Sequence, residues 1–205
     1  MVRKTKEDAQ KTREAIIEAA SHVFVEKGVA NASLNEIASR AGVTRGAVYW
    51  HFENKIDLFK ALHESLSQPF IDRILNNLEQ DQDNPLDQLK DLCITMLDDL
   101  TDNEHKQRVL KILFFKCDYS GEYEELLQVQ CQNKKEKLAL FAQYFERAQK
   151  KGTLRADISP AIMATSLMSY IGGIANEWLR YPETMDLKKQ GRDIIDLYFN
   201  GLYSR

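Results

Sequence analysis

The stretch Ser33 to Lys55, SLNEIASRAGVTRGAVYWHFENK, leaves this chain few ways to fold there. Ser33 and Glu36 have the S-x-x-E spacing in which a hydroxyl and a carboxylate each satisfy a free backbone N–H at a helix start, so a helix is predicted from Leu34. Leu34, Ile37, Ala38 and Ala41 then repeat at helical spacing, and Gly42 can take the left-handed conformation that ends a helix. Thr44 can cap a second helix starting at Arg45. In that helix Val48 and Phe52, four apart, share one face, which leaves Arg45, Gly46, Tyr49 and His51 for the other. An arginine there can make a bidentate bond to guanine. Gly46 and Ala47 are small enough to let the backbone approach base edges, and Tyr49 and His51 can reach phosphates. The pattern predicts a helix-turn-helix over about residues 33–52 that reads DNA.

Charge supports this locally. The formal net charge is −3, yet residues 1–13 hold five basic side chains (Arg3, Lys4, Lys6, Lys11, Arg13) against two acids, giving +3 there and −6 over the rest. A short basic arm on an acidic body suits DNA contact better than membrane attachment. The three cysteines, Cys93, Cys117 and Cys131, have no C-x-x-C spacing, so neither a disulfide framework nor a zinc site is expected. No signal peptide and no membrane-spanning apolar run is read, which predicts a soluble, cytoplasmic protein without a membrane partner. His22, His51, His63 and His105 show no H-E-x-x-H spacing, and no G-x-S-x-G, P-loop or G-x-G-x-x-G occurs. An enzyme is therefore not expected, nor a cofactor or metal.

The rest of the chain reads as all-α, with about nine helices and no sheet. A first helix is predicted from about Asp8 to Lys27, with Ile16, Ala20, Val23 and Phe24 on one face and Gly28 as its stop. A long helix follows Asn54 and reaches about Gln80, with a kink or break near Ser67 or Gln68 because Pro69 falls inside it. Asp81–Pro85 is a loop, and Leu86, Leu89, Cys93 (or Leu92), Met96, Leu97 and Leu100 form the stripe after it. Further helices are predicted over Asn103–Asp118, Glu122–Lys151, Ser159–Tyr181 and about Leu187–Tyr203. The division expected is a DNA reader at 1–55 and a larger helical body for ligand binding and dimerisation at 56–205.

The chain resembles the TetR family of bacterial transcriptional regulators, and within it the multidrug-efflux repressors of the AcrR type. The carrying residues are MVRKTKEDAQKTREAIIEAA and VFVEKGVANASLNEIASRAGVTRGAVYWHFENKIDLF, then more loosely ILFFKCDY at 112–119, IGGIANEWL at 171–179 and DLKKQGRD at 186–193. The resemblance implies a homodimer on palindromic double-stranded operator DNA, with contacts from Ser33, Asn35, Thr44, Arg45, Gly46, Ala47, Tyr49, Trp50, His51 and Lys55. Arg45 is expected to read a base, and Gly46 and Ala47 to contact the major groove. Tyr49, Trp50, His51 and Lys55 are expected to hold phosphates, helped by helix N-termini at Ser33, Thr44 and Asn54. A phosphate would also explain a lysine at the positive end of its helix.

A sensor body needs a cavity and a dimer seam. The resemblance places the helix at 159–181 and the last helix in a dimer-forming four-helix bundle, with Met163, Leu167, Tyr170, Ile171, Ile174, Ile194, Leu197 and Tyr198 as interface candidates. Gly172 and Gly173 would be compensated there by close approach of another helix. Leu66, Phe70, Met96, Phe114, Cys117, Phe141, Phe145 and Trp178 are the candidates for a pocket taking flat lipophilic ligands. Among nearby acids, Glu64 or Glu177 would favour a cationic inducer. The expected function is a ligand-released repressor of a multidrug efflux pump. A family member that activates, or that senses a metabolite or polyamine, is the alternative.

Overall fold

The computed structural model describes residues 6–80 and 83–202, the side chain of Glu122 excepted. Arg3 and Lys4 of the basic arm, Asp81 and Gln82 of the loop, and Tyr203 of the last helix lie outside the described residues. Within them there are nine α-helices and no strand: α1 Lys6–Lys27, α2 Leu34–Arg40, α3 Arg45–His51, α4 Lys55–Glu79, α5 Pro85–Asp102, α6 Glu104–Lys111, α7 Glu124–Lys150, α8 Pro160–Arg180 and α9 Leu187–Asn200. The chain forms two compact units, Met1–Gln68 with His105–Gln130, and Pro69–Glu104 with Cys131–Arg205.

The first unit is built around α1. Its stripe of Ile16, Ala20, Val23 and Phe24 is buried together with Ile37 of α2, Val48 of α3, and Leu58, Phe59 and Leu62 of α4. Phe24 and Phe59 meet at 6.4 Å between ring centroids. Side chains of this size stabilise by about 1.5–3 kcal/mol each on burial. The helix predicted over Asn103–Asp118 is shorter than expected: α6 stops at Lys111 and continues as one turn of π-helix, Ile112–Lys116. The Lys116 carbonyl then accepts the Val29 N–H at 3.0 Å. That bond fastens the end of α6 to the turn between α1 and α2.

In the second unit α5 packs along α9 and also meets α8. Leu86, Leu89, Leu92, Cys93, Leu97 and Leu100 of α5 are buried, as are Ile195 and Phe199 of α9. Asp102 and Lys188 pair at 2.6 Å, and Lys90 and Asp196 at 3.1 Å. Of the kink or break expected near Pro69, the break does not occur: α4 runs unbroken from Lys55 to Glu79. A proline removes one helical N–H, and packing beyond it keeps the later turns in place. Phe70 lies 6.0 Å from Phe141 of α7, and the Tyr144 hydroxyl of α7 donates to the Ile74 carbonyl at 3.3 Å.

Candidate nucleic-acid interface

The helix-turn-helix forms as its local signals dictate. Ser33 N–H donates to Glu36 Oε2 at 3.0 Å and Glu36 N–H to Ser33 Oγ at 3.3 Å, a reciprocal cap on α2. Lys27 donates to the same carboxylate. The bonds from Lys27 and from Ser33 hold the Glu36 carboxyl down at about 2, below its ordinary 4.5. Gly42, at φ +65°, closes α2, and the Val43 N–H returns to the Ala38 carbonyl at 3.0 Å. Thr44 Oγ1 accepts the Ala47 N–H at 3.2 Å and starts α3. Asn54 Oδ1 accepts the Asp57 N–H at 2.9 Å and starts α4.

Val48 and Phe52 hold α3 to the unit, at 0% and 2% exposure. The opposite face is open: Arg45, Gly46, Tyr49 and Trp50 are exposed, Trp50 by 71%, while Ala47 and His51 are half-buried. Trp50 therefore takes no part in the core, and it meets the His51 ring edge-on at 4.5 Å. The Arg45 guanidinium lies 5.2 Å from the Tyr49 ring centre and donates to its hydroxyl at 3.3 Å. This contact limits the rotamers of Arg45 and reduces the ordering entropy that base contact would cost. No acid lies on α3, so nothing on that helix opposes a phosphate backbone. On α2, Asn35 is exposed while Arg40 pairs with Glu26 at 2.8 Å.

Lys55 is placed otherwise than expected. Its ammonium donates to the Ala30 carbonyl at 2.7 Å and the Ala32 carbonyl at 3.1 Å, and lies 5.4 Å from the Tyr123 ring centre. Two carbonyl acceptors account for a cation at this helix start, and no phosphate is needed to explain it.

A polar cluster that the sequence reading missed backs the reader. Glu18 of α1 takes His105 Nδ1 at 2.6 Å, His22 Nε2 at 3.2 Å and the Arg108 guanidinium. Arg108 Nε also donates to Ser21 Oγ at 3.1 Å. Burial raises the affinity of Glu18 for a proton, but the hydrogen bond from His105 and the charges of Arg108, His105 and His22 outweigh it and leave the carboxyl lowered. Sequence spacing gives no signal for contacts between residues 18 and 108.

The ligand candidates divide between the units. In the first, Leu66 is half-buried against the core, Cys117 is half-buried, and Phe114 and Glu64 are exposed. In the second, Phe141 and Phe145 are fully buried, Phe70, Met96 and Trp178 are half-buried, and Glu177 is exposed. Phe70 and Phe141 are brought together, whereas neither acid chosen as a cation anchor is enclosed.

The dimer candidates need correction. Met163, Leu167 and Ile171 are buried within the chain, at 2%, 0% and 5% exposure, and belong to its own core. Tyr170 and Tyr198 stack at 5.1 Å, and their hydroxyls donate to the Ile194 and Met163 carbonyls, at 2.9 and 3.3 Å. Ile174 and Ile194 are half-buried, while Leu197 stands 74% exposed and Ile162, which the sequence reading omitted, 63%. A side chain added at Gly172 or Gly173 would meet nothing within 4 Å. The sequence shows two apolar faces on α8, and helical periodicity alone does not say which one the chain itself covers.

Among the described residues no three His, Cys, Asp or Glu side chains converge as metal ligands would, and no helix is long and apolar enough to cross a membrane. Residues 16–62 match the family described as bacterial regulatory proteins, tetR family, and residues 84–203 the C-terminal region of MAATS-type transcriptional repressors. The chain is 36% identical over 196 residues to the HTH-type transcriptional regulator AcrR of Shigella flexneri, spanning 95% of this chain and 91% of AcrR. It is similar in structure to NalD, the secondary repressor of the MexAB-OprM multidrug efflux pump in Pseudomonas aeruginosa, with a TM-score of 0.82, 35% identity, and coverage of 97% of this chain and 98% of NalD. It is also similar to the SmeT–triclosan complex, with a TM-score of 0.87, 32% identity, and coverage of 95% and 93%. SmeT is the repressor of the Stenotrophomonas maltophilia multidrug efflux pump SmeDEF. With a reading helix at its start and a repressor-type region after it, both matched in sequence, the chain belongs to the TetR family of bacterial transcriptional regulators.

Proposed function

We propose that this chain is a cytoplasmic, ligand-released repressor that binds a palindromic operator as a homodimer and controls a multidrug efflux pump. The observation that carries the reading is the exposed, acid-free face of α3, with Arg45 held on Tyr49 above the buried Val48 and Phe52. The relatives described as efflux-pump repressors supply the regulated target. Residues 1–55 read DNA, and residues 56–205 bind the inducer and form the dimer. Arg45 reads a base, and Gly46 and Ala47 admit the backbone to the groove. Ser33, Asn35, Thr44, Tyr49, Trp50 and His51 contact the phosphate backbone. The role is binding rather than catalysis.

Dimerisation uses the outward face of α8 and α9. Ile162 and Leu197 are exposed there, and the open space above Gly172 and Gly173 admits a helix from a second copy. Two heads so joined span successive major grooves, roughly 34 Å apart. The inducer is a lipophilic small molecule, a reading supported by the likeness to SmeT in complex with triclosan. Its binding in the body shifts α4 and the spacing of the heads, and inducer and operator then weaken each other reciprocally.

The test is fluorescence anisotropy of the purified protein on labelled DNA from upstream of its own gene, at about 150 mM salt, with and without triclosan. Binding at roughly 10 nM or tighter, lost on adding the compound, is expected. Weak binding that does not distinguish this DNA from unrelated sequence would refute the operator reading. Tight binding indifferent to triclosan and to a panel of lipophilic drugs would refute release by drugs.

A further inference from the structure

Along α7 one face recurs at Asn133, Lys137, Leu140, Phe141, Tyr144 and Ala148, and Phe141, Tyr144 and Ala148 of it are fully or almost fully buried. Lys137 thus occupies a core-facing position where the helical pattern would place an apolar residue. Its neighbours Lys134 and Lys135 are exposed, while Lys137 is half-buried. The ammonium lies 6.0 Å from the Phe70 ring centre, and Phe70 in turn lies 6.0 Å from Phe141. Among the described residues no carboxylate comes within ion-pair distance of it and no acceptor within hydrogen-bond distance. Burial pulls its pKa down, with only partial relief from the adjacent Glu136. A half-buried cation resting on one aromatic ring, with only the adjacent Glu136 to offset its burial, is destabilising by itself. It becomes favourable once an anion enters beside it, because the partner then arrives in surroundings of low dielectric.

We propose that Lys137 is the polar anchor of a binding site for lipophilic organic anions such as phenolates, carboxylates and sulfonates, with the half-buried Phe70 ring, backed by the buried Phe141, as its apolar wall. The inference deepens the ligand-responsive reading above and rests on it. It also reverses the charge that Glu64 or Glu177 would have selected, since both of those acids are exposed.

The test compares two dyes that differ by one group: anilinonaphthalene sulfonate and neutral phenylnaphthylamine, titrated by fluorescence into the full-length protein and its Lys137→Met and Lys137→Arg variants. Each variant's fold is checked by its urea unfolding midpoint. The native protein is expected to prefer the sulfonate dye by about ten- to a hundredfold, the worth of one charge-assisted hydrogen bond. Lys137→Met should abolish that preference while still binding the neutral dye, and Lys137→Arg should retain most of it. Ethidium, a lipophilic cation, should bind Lys137→Met more tightly than the native protein. A preference unchanged in Lys137→Met overturns the anchor and leaves the ligand-responsive reading standing. If folded protein binds neither dye, and neither releases it from operator DNA, both readings fall.

Discussion

Gly28 ends α1 at φ +80°, and a Cβ built on it would sit 3.3 Å from the Lys116 carbonyl oxygen. That oxygen is the one that accepts the Val29 N–H at 3.0 Å and ties the end of α6 to the reader. Gly42 provides an internal control, because it has a similar backbone conformation, φ +65°, with nothing within 4 Å of an added Cβ. In Gly42→Ala the left-handed backbone costs about 1–2 kcal/mol. The stiffer unfolded chain offsets roughly 0.4–1 kcal/mol of this, for a net loss of about 1 kcal/mol. Gly28→Ala bears the same backbone cost and must also push the Lys116 carbonyl away by a few tenths of an ångström, which weakens a hydrogen bond worth about 0.5–1.5 kcal/mol. The expected loss is about 2 kcal/mol, or roughly 4–8 °C in Tm for a chain of this length, against roughly 2–4 °C for the control. Urea and thermal unfolding of the two variants side by side measures the difference. Equal losses would refute the reasoning, since they would mean that the Lys116 carbonyl yields freely and that the tie from α6 to the α1–α2 turn carries no load.

Three further outcomes are expected. Arg45→Ala should weaken operator binding by about 1–3 kcal/mol and relax preference at one base position, read by anisotropy on a set of single-base operator variants; an unchanged preference removes Arg45 as a base reader. Leu197→Glu should convert the dimer to monomer in light scattering while keeping helical content, because the native side chain is 74% exposed and adds little to the chain's own core; an intact dimer would place the seam elsewhere. The Glu36 carboxyl, held at about 2 against an ordinary 4.5, contributes stability that is full above about pH 4.5 and is lost as pH falls toward 2. Acid unfolding of the native protein should therefore be steeper over that window than that of Glu36→Gln, and superimposable curves would show that the cap of α2 does not titrate with unfolding.

What the sequence made legible follows the reach of each signal. The caps at Ser33, Thr44 and Asn54 and the Val48–Phe52 spacing act within one turn of helix, so the residues that carry them also reveal them. Pro69 does not end its helix, because Phe70 and Ile74 are held by Phe141 and Tyr144 some seventy residues away. Lys55 misleads for the same reason: its acceptors, the Ala30 and Ala32 carbonyls, belong to a turn that only the folded chain brings near. On α8, Met163, Leu167 and Ile171 compete with Ile162 for the inward face, and composition is silent between them. Lys137 is hidden by a rule that usually holds, that a lysine in an amphipathic helix marks the solvent side.

The link from α6 to α1 sets a condition on how release works. Arg108 is only 16% exposed on its side chain, and Glu18 is 45% exposed. Parting a buried ion pair costs about 3–5 kcal/mol, a cost that water lowers toward about 2 kcal/mol when one partner is half exposed. The Val29–Lys116 hydrogen bond adds about 1 kcal/mol. Allosteric couplings in general amount to about 1–3 kcal/mol. Opening this clasp would take about as much free energy as such a coupling amounts to in total. We therefore infer that the clasp stays closed in both states, so that α6 and α1 move as one body and the conformational difference is absorbed elsewhere. On that inference, release is expected to come from displacement of an intact reading head, with α2 and α3 keeping their caps, rather than from local unfolding of the helix-turn-helix.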